Sequence, residues 1–129
     1  MTDVTQQQPE KRREIRVNPE PGHPVRIDLM GNGFIEVTTA ANVSKEGIGI
    51  KVPHGFKGYN LDGLAEILIK LPKPVEHSFS STVRIIHQKD QNFGALFASI
   101  EKKDAIKLHH YIEGRLKQMD GRELLKMIE

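Results

Sequence analysis

From Val25 to Ile100 the apolar residues come in short runs, each bounded by Gly, Pro, Asn or Asp, with no helical period between them. That punctuation constrains the fold more than any other feature. Val25, Ile27 and Leu29 alternate with Arg26 and Asp28, the period of two of a strand with one buried face. A second strand starts at Phe34. The link Gly31-Asn32-Gly33 contains the Asn-Gly pair that tolerates positive φ at both centres of a type I′ turn, which predicts a β-hairpin. Gly47 to Val52, Leu64 to Leu71, Ser80 to His87 and Phe93 to Ile100 share the enrichment in Ile, Val and Leu that suits a pleated, half-buried surface. Six short strands with no helix between them predict an antiparallel barrel or sandwich rather than a parallel sheet.

After Glu101 the period changes. Ala105, Leu108, Ile112, Leu116 and Met119 recur at three and four, the stripe of an amphipathic helix. Asp120-Gly121 is expected to end it. Residues 122–129 carry Leu124, Leu125 and Ile128 outside that stripe, and two readings are open for them: packing on the barrel, or contact with a partner or a second copy. At the other end, residues 1–10 offer almost nothing apolar to offset the entropy of ordering, so a disordered tail is expected there. The domain then runs over 11–119, with 120–129 as an extension. Asn18 to Pro24 holds three prolines and a glycine, which predicts an extended connector.

Several function classes are excluded by what the chain lacks. At 129 residues it is the size of one domain. It has no cysteine, hence no disulfide, thiolate zinc site or cysteine nucleophile, which fits a reducing compartment. Neither a secretory leader nor an apolar run of roughly 18 residues is present, so the expectation is a cytoplasmic protein with no membrane insertion. The Asn42-Val43-Ser44 sequon would need secretion and is set aside. A net charge of +2 is too mild for general nucleic-acid binding. The few aromatic residues do not interleave with the Lys11–Arg16 cluster, so no DNA or RNA partner is expected. Ser44 lacks the glycines of a nucleophile elbow, and Gly47-Ile48-Gly49 meets Val52 where a dinucleotide fingerprint needs its third glycine. The histidines have no His-Glu-x-x-His spacing, and the adjacent His109 and His110 point to different helix faces. No enzyme, catalytic residue, metal or cofactor is expected.

Two clusters remain. Arg12 and Arg16, four residues apart, fall on one side of the chain whether it is extended or helical. Extended, their Cα atoms lie roughly 13 Å apart, wide enough to bracket a ligand between planar forks that pair with phosphate or with guanine O6 and N7. Solvated arginines are the plainer alternative. The second cluster is Asn42-Val43-Ser44-Lys45-Glu46-Gly47. An Asn oxygen accepts from guanine N1 and N2, a Ser hydroxyl donates to phosphate, and Gly47 permits positive φ or close backbone approach. A turn closed by Asn and Ser side chains is the plainer alternative here.

Taken together, Arg12-Arg13-Glu14-Ile15-Arg16, followed about 26 positions later by Asn42-Val43-Ser44-Lys45-Glu46-Gly47 and Ile48-Gly49-Ile50, and later by Phe93-Gly94-Ala95-Leu96-Phe97 before a helix, resemble the PilZ domain family of bacteria. The resemblance covers residues 10–118. It implies a mainly β fold, a six-stranded antiparallel β-barrel with a C-terminal α-helix. It also implies binding of cyclic diguanylate, a second messenger of two guanines and two phosphates in a ring. Arg12 and Arg16 would contact phosphate and guanine, with Arg13 auxiliary. Asn42, Ser44 and Gly47 would hold guanine from the barrel surface, Asn standing in for the more usual Asp. The ligand would order the arginine arm onto the barrel and change the surface offered to an unidentified effector protein, in motility, biofilm or virulence control, with the chain a monomer or homodimer. The alternative is an adaptor barrel that binds protein and no nucleotide.

Overall fold

A computed structural model of the chain describes residues 15–31, 33–52, 60–89 and 91–118, with Phe34 described through its backbone only. Arg12, Arg13, the 1–10 tail, Met119 and the 120–129 extension lie outside the described residues. Six strands form: β1 (Arg26–Gly31), β2 (Phe34–Val43), β3 (Gly47–Lys51), β4 (Leu64–Leu71), β5 (His77–Lys89) and β6 (Asn92–Ser99). They close into a barrel in the order β1-β2-β3-β6-β5-β4, every neighbouring pair antiparallel and β4 returning to β1. Closure resolves the choice between barrel and sandwich left open by the alternation, because each edge strand finds a partner.

The hairpin forms as the Asn-Gly signal implies. β1 and β2 pair through Gly31 and Phe34 at their tip, and Gly33 takes φ +78°. The residues that alternate inward fill the barrel: Ile27, Leu29, Ile50, Ile67, Ile69 and Val83 are all fully buried. β5 is longer than its apolar centre, running from His77 to Lys89, because backbone pairing with β4 and β6 continues past the last buried side chain.

The segment before β1 departs from the extended connector expected of its prolines. Val17 makes a two-way bridge to Val43, each N–H donating to the other's carbonyl at 2.8 Å, and Val17 is fully buried. Pro21 and Gly22 then sit at the centre of a tight turn in which His23 N–H donates to Glu20 carbonyl at 2.9 Å and Gly22 takes φ +86°. Pro followed by a positive-φ Gly is the sequence of a type II turn.

The helix α1 (Lys102–Gln118) packs with Asp104, Leu108, Tyr111, Ile112 and Arg115 buried. The apolar stripe expected from Ala105, Leu108, Ile112 and Leu116 is therefore rotated, leaving Ala105 and Leu116 half-buried. Polar partners account for the rotation. Asp104 Oδ1 lies 2.8 Å from His77 Nε2 on β5, and Arg115 Nε donates to Asn18 carbonyl at 2.7 Å. A count of apolar residues alone cannot see such a face. Among the described residues no helix is long and apolar enough to cross a membrane.

Tyr111 yields a pH prediction. Burial pushes its phenol from 10.0 up to about 12, with Arg115 opposing the shift and Glu20 reinforcing it. Folding thus raises this group's pKa, so its stabilising contribution is complete below the unfolded value and is lost as pH rises through the folded one. Between pH ~10 and ~12 the loss amounts to about 3 kcal/mol. Tyr111→Phe lacks this term and also removes a buried hydroxyl with no hydrogen-bond partner among the described residues. The variant is expected to be no less stable than the parent near neutrality and to lose less stability in alkali, as urea unfolding across that range would measure.

Candidate functional site

The turn between β2 and β3 is built around Ser44. Its Oγ accepts from Gly47 N–H at 3.1 Å and from Glu46 N–H at 3.3 Å, and donates to Gly47 carbonyl at 3.2 Å, while Ser44 N–H donates to the same carbonyl at 2.9 Å. With Ser44 only 2% exposed, its hydroxyl shapes the turn. Gly47 packs against β6, and a Cβ there would collide with Ala95 carbonyl. The motif's spacing is thus explained locally: Ser closes the turn, and only Gly lets β3 begin this close to β6.

Two β-bulges lie beside this turn. On β2 the register shifts between Ala40 and Asn42, and on β5 between Ile85 and His87. Each inserts one residue and re-aims the next side chain. Asn42 comes opposite Gly49 on β3, Gly49 opposite Gly94 on β6, and Gly94 opposite His87 on β5. Two glycines therefore form a low floor across the middle strands, flanked by an amide and an imidazole. Both side chains lean over it: a Cβ on Gly49 would sit 2.9 Å from Asn42 Nδ2 and Oδ1, and one on Gly94 would strike the His87 ring.

Above this floor is a cleft of about 240 Å³, lined by Arg16, Asn42, Ser44, Gly47, Gly49, His87, Lys89, Asn92 and Gly94, with Ile86 and Leu96 among the apolar contributors. Arg16 arrives through the Val17–Val43 bridge, which runs the leader antiparallel to β2 and sets Arg16 alongside Ser44. Among the described residues none of the lining side chains is acidic, and Arg16 and Lys89 are cationic, so this lining favours an anion. Among the described residues no three of His, Asp or Glu gather as a metal would require.

Of the six residues singled out by sequence, Arg16, Asn42, Ser44 and Gly47 meet in this one cleft. Arg12 and Arg13 lie outside the described residues. Sequence reading missed His87, Lys89, Asn92 and the Gly49–Gly94 floor. A signal for the floor was present, since an isolated glycine inside a strand marks a bulge or a close approach.

No family model matches the chain, and no curated protein matches it in sequence. Solved structures do resemble it. The inhibitor of motility MotI (DgrA) of Bacillus subtilis superposes with a TM-score of 0.69 at 14% identity, over 83% of this chain and 52% of that one. The chain thus spans about half the length of MotI. The PilZ domain of YcgR from Escherichia coli, solved with c-di-GMP, gives a TM-score of 0.69 at 10% identity, over 82% and 92% of the two chains. MrkH, described as a c-di-GMP-dependent transcription regulatory factor, gives 0.66 at 8% identity, over 81% and 50%. The chain has a PilZ-like fold.

Proposed function

We propose that this PilZ-like barrel is a receptor for cyclic diguanylate, which it takes into the cleft between Arg16 and Asn42. The observation that carries the reading is convergence. Arg16 and the Asn42–Gly47 turn, 26 residues apart from Arg16 to Asn42, line one cleft to which the described residues bring no acidic side chain. An anionic ligand rich in guanine edges suits such a lining. Arg16 offers a planar fork for phosphate or for guanine O6 and N7. Asn42 offers an oxygen to the N1 and N2 donors of guanine. Ser44 and Gly47 act by positioning, since the serine hydroxyl is engaged within the turn. His87 presents its imidazole to the same space.

Size supports a role for the arm. At about 240 Å³ the cleft falls below the roughly 300–1,000 Å³ of a pocket that encloses a drug-sized ligand. It therefore holds part of a ring of two guanosine phosphates, and Arg12 and Arg13 supply a second wall by closing over the remainder. Ordering of the arm then converts ligand binding into a new surface for an effector protein, a logic suited to control of motility, biofilm or virulence.

Calorimetry with cyclic diguanylate against GTP and cyclic GMP tests this reading. The expected result is saturable binding of cyclic diguanylate at roughly micromolar Kd or tighter, with the controls far weaker. Equal binding of all three would reveal a merely cationic surface and overturn the proposal, as would no binding at all.

A further inference from the structure

Alternation along β1, β2 and β4 turns every second side chain outward, and several of these are apolar. Ile35 and Val37 on β2 are 66% and 51% exposed, and Leu64 on β4 is 60% exposed. Strand register joins them. Ile35 lies opposite Met30 on β1 and Met30 opposite Glu66 on β4, while Val37 lies opposite Asp28 and Asp28 opposite Leu68. Met30 and Leu68 are half-buried. Side chains directly or diagonally opposite on one face of a sheet are within reach of each other, so Ile35, Val37, Met30, Leu68 and Leu64 form one apolar patch. None of them lines the cleft proposed for cyclic diguanylate. Single exposed apolar residues are ordinary, whereas a contiguous patch marks a contact surface.

Charge along β4 points to what covers this patch. Glu66 and Lys70 flank Leu68 at two residues to either side, so their Cα atoms stand roughly 13 Å apart with Leu68 between them. Neither is in an ion pair among the described residues. Lys70 lies opposite Arg26, which is already paired with Asp28 at 2.9 Å, and like charges directly opposite are destabilising. The barrel is closed, so a further chain cannot add a strand to it and meets these three strands face to face. We propose that this face is where two copies of the chain associate, related by a two-fold axis that lies in the contact plane, crosses the strands and passes over Leu68. Such a rotation reverses strand direction and lays β4 on β4 of the second copy. Leu68 then meets Leu68, and Glu66 of each copy meets Lys70 of the other. Val37 meets Val37, Ile35 meets Thr39, and Met30 packs on the aliphatic stem of Arg26. Asp28 faces its own copy with its charge already matched by Arg26. Three strands about 4.8 Å apart and seven residues long offer roughly 300 Å² of flat face, below the ~800 Å² per partner of a standard stable interface. The dimer is therefore weak and concentration-dependent.

Sedimentation velocity on the full chain without nucleotide, from about 10 μM to about 1 mM, tests the interface. The expected result is a reversible monomer–dimer equilibrium with its midpoint inside that range. Val37→Lys sets two ammonium groups against each other across the axis and is expected to leave only monomer. Ile106→Lys, at an exposed apolar residue of α1, is expected to leave the equilibrium in place. Glu66→Lys and Lys70→Glu should each weaken the dimer roughly tenfold, and the double variant, which exchanges the partners at constant net charge, should recover to within about threefold of the parent. Melting temperatures check that each variant is folded. A chain that stays monomeric to the top of the range would overturn the proposal and leave the face to a different protein. So would a dimer that survives Val37→Lys, one that Ile106→Lys abolishes equally, or a double variant no tighter than the single ones. Because nucleotide is absent, these outcomes are independent of the calorimetric test of the cleft.

Discussion

Gly47→Ala is expected to destabilise the barrel by about 2–3 kcal/mol, at the upper end of what one added carbon costs in a well-packed site. The new Cβ would collide with Ala95 carbonyl, a backbone atom in the β3–β6 ladder where Gly47 pairs with Leu96 and Ile48 with Ala95. Relief requires those strands to separate, and the Ser44 turn is anchored to the same backbone through Phe97 N–H donating to Glu46 carbonyl at 2.9 Å. Urea unfolding should show a lower midpoint at unchanged slope. The same chemical change at Gly94 is expected to cost less than about 1 kcal/mol, because the colliding group there is the end of the exposed His87 side chain, which can rotate aside. If Gly47→Ala melts with the parent protein, the close approach of β3 to β6 is wrong.

Arg16→Ala is expected to weaken cyclic diguanylate by about 1–3 kcal/mol, the range of a bidentate guanine contact, or roughly 5- to 150-fold in Kd. Arg16→Lys should recover only part of this, since an ammonium keeps the charge and loses the fork. Arg16 is exposed, so stability should stay within about 0.5 kcal/mol of the parent. That separates a lost contact from a lost fold. Asn42→Ala should also weaken binding. Because both side chains line one cleft, the double variant is expected to be non-additive. Calorimetry on the four proteins measures the cycle, and an unchanged affinity in Arg16→Ala would remove that residue from the site.

Features governed by neighbours along the chain could be read from the chain. Alternation at Val25–Leu29 marks a strand, Asn32-Gly33 marks a two-residue hairpin link, and the shift to a period of three and four after Glu101 marks α1, because each depends on φ, ψ and side-chain direction within a few residues. The Ser44–Gly47 turn belongs with these, since the Ser44 hydroxyl closes it through bonds that span no more than three residues.

Whatever required knowing which strands are neighbours was hidden. Gly49 and Gly94 become one floor because β3 pairs with β6, and His87 joins it because a bulge after Ile85 re-aims it. Val17 is buried through a bridge to Val43, and α1 turns Asp104, Tyr111 and Arg115 inward because His77 and Asn18 stand ready to pair with two of them. Local propensity acts over a few residues, whereas strand pairing and buried polar partners join groups far apart in the chain. The energy that selects them exists only once the barrel has closed.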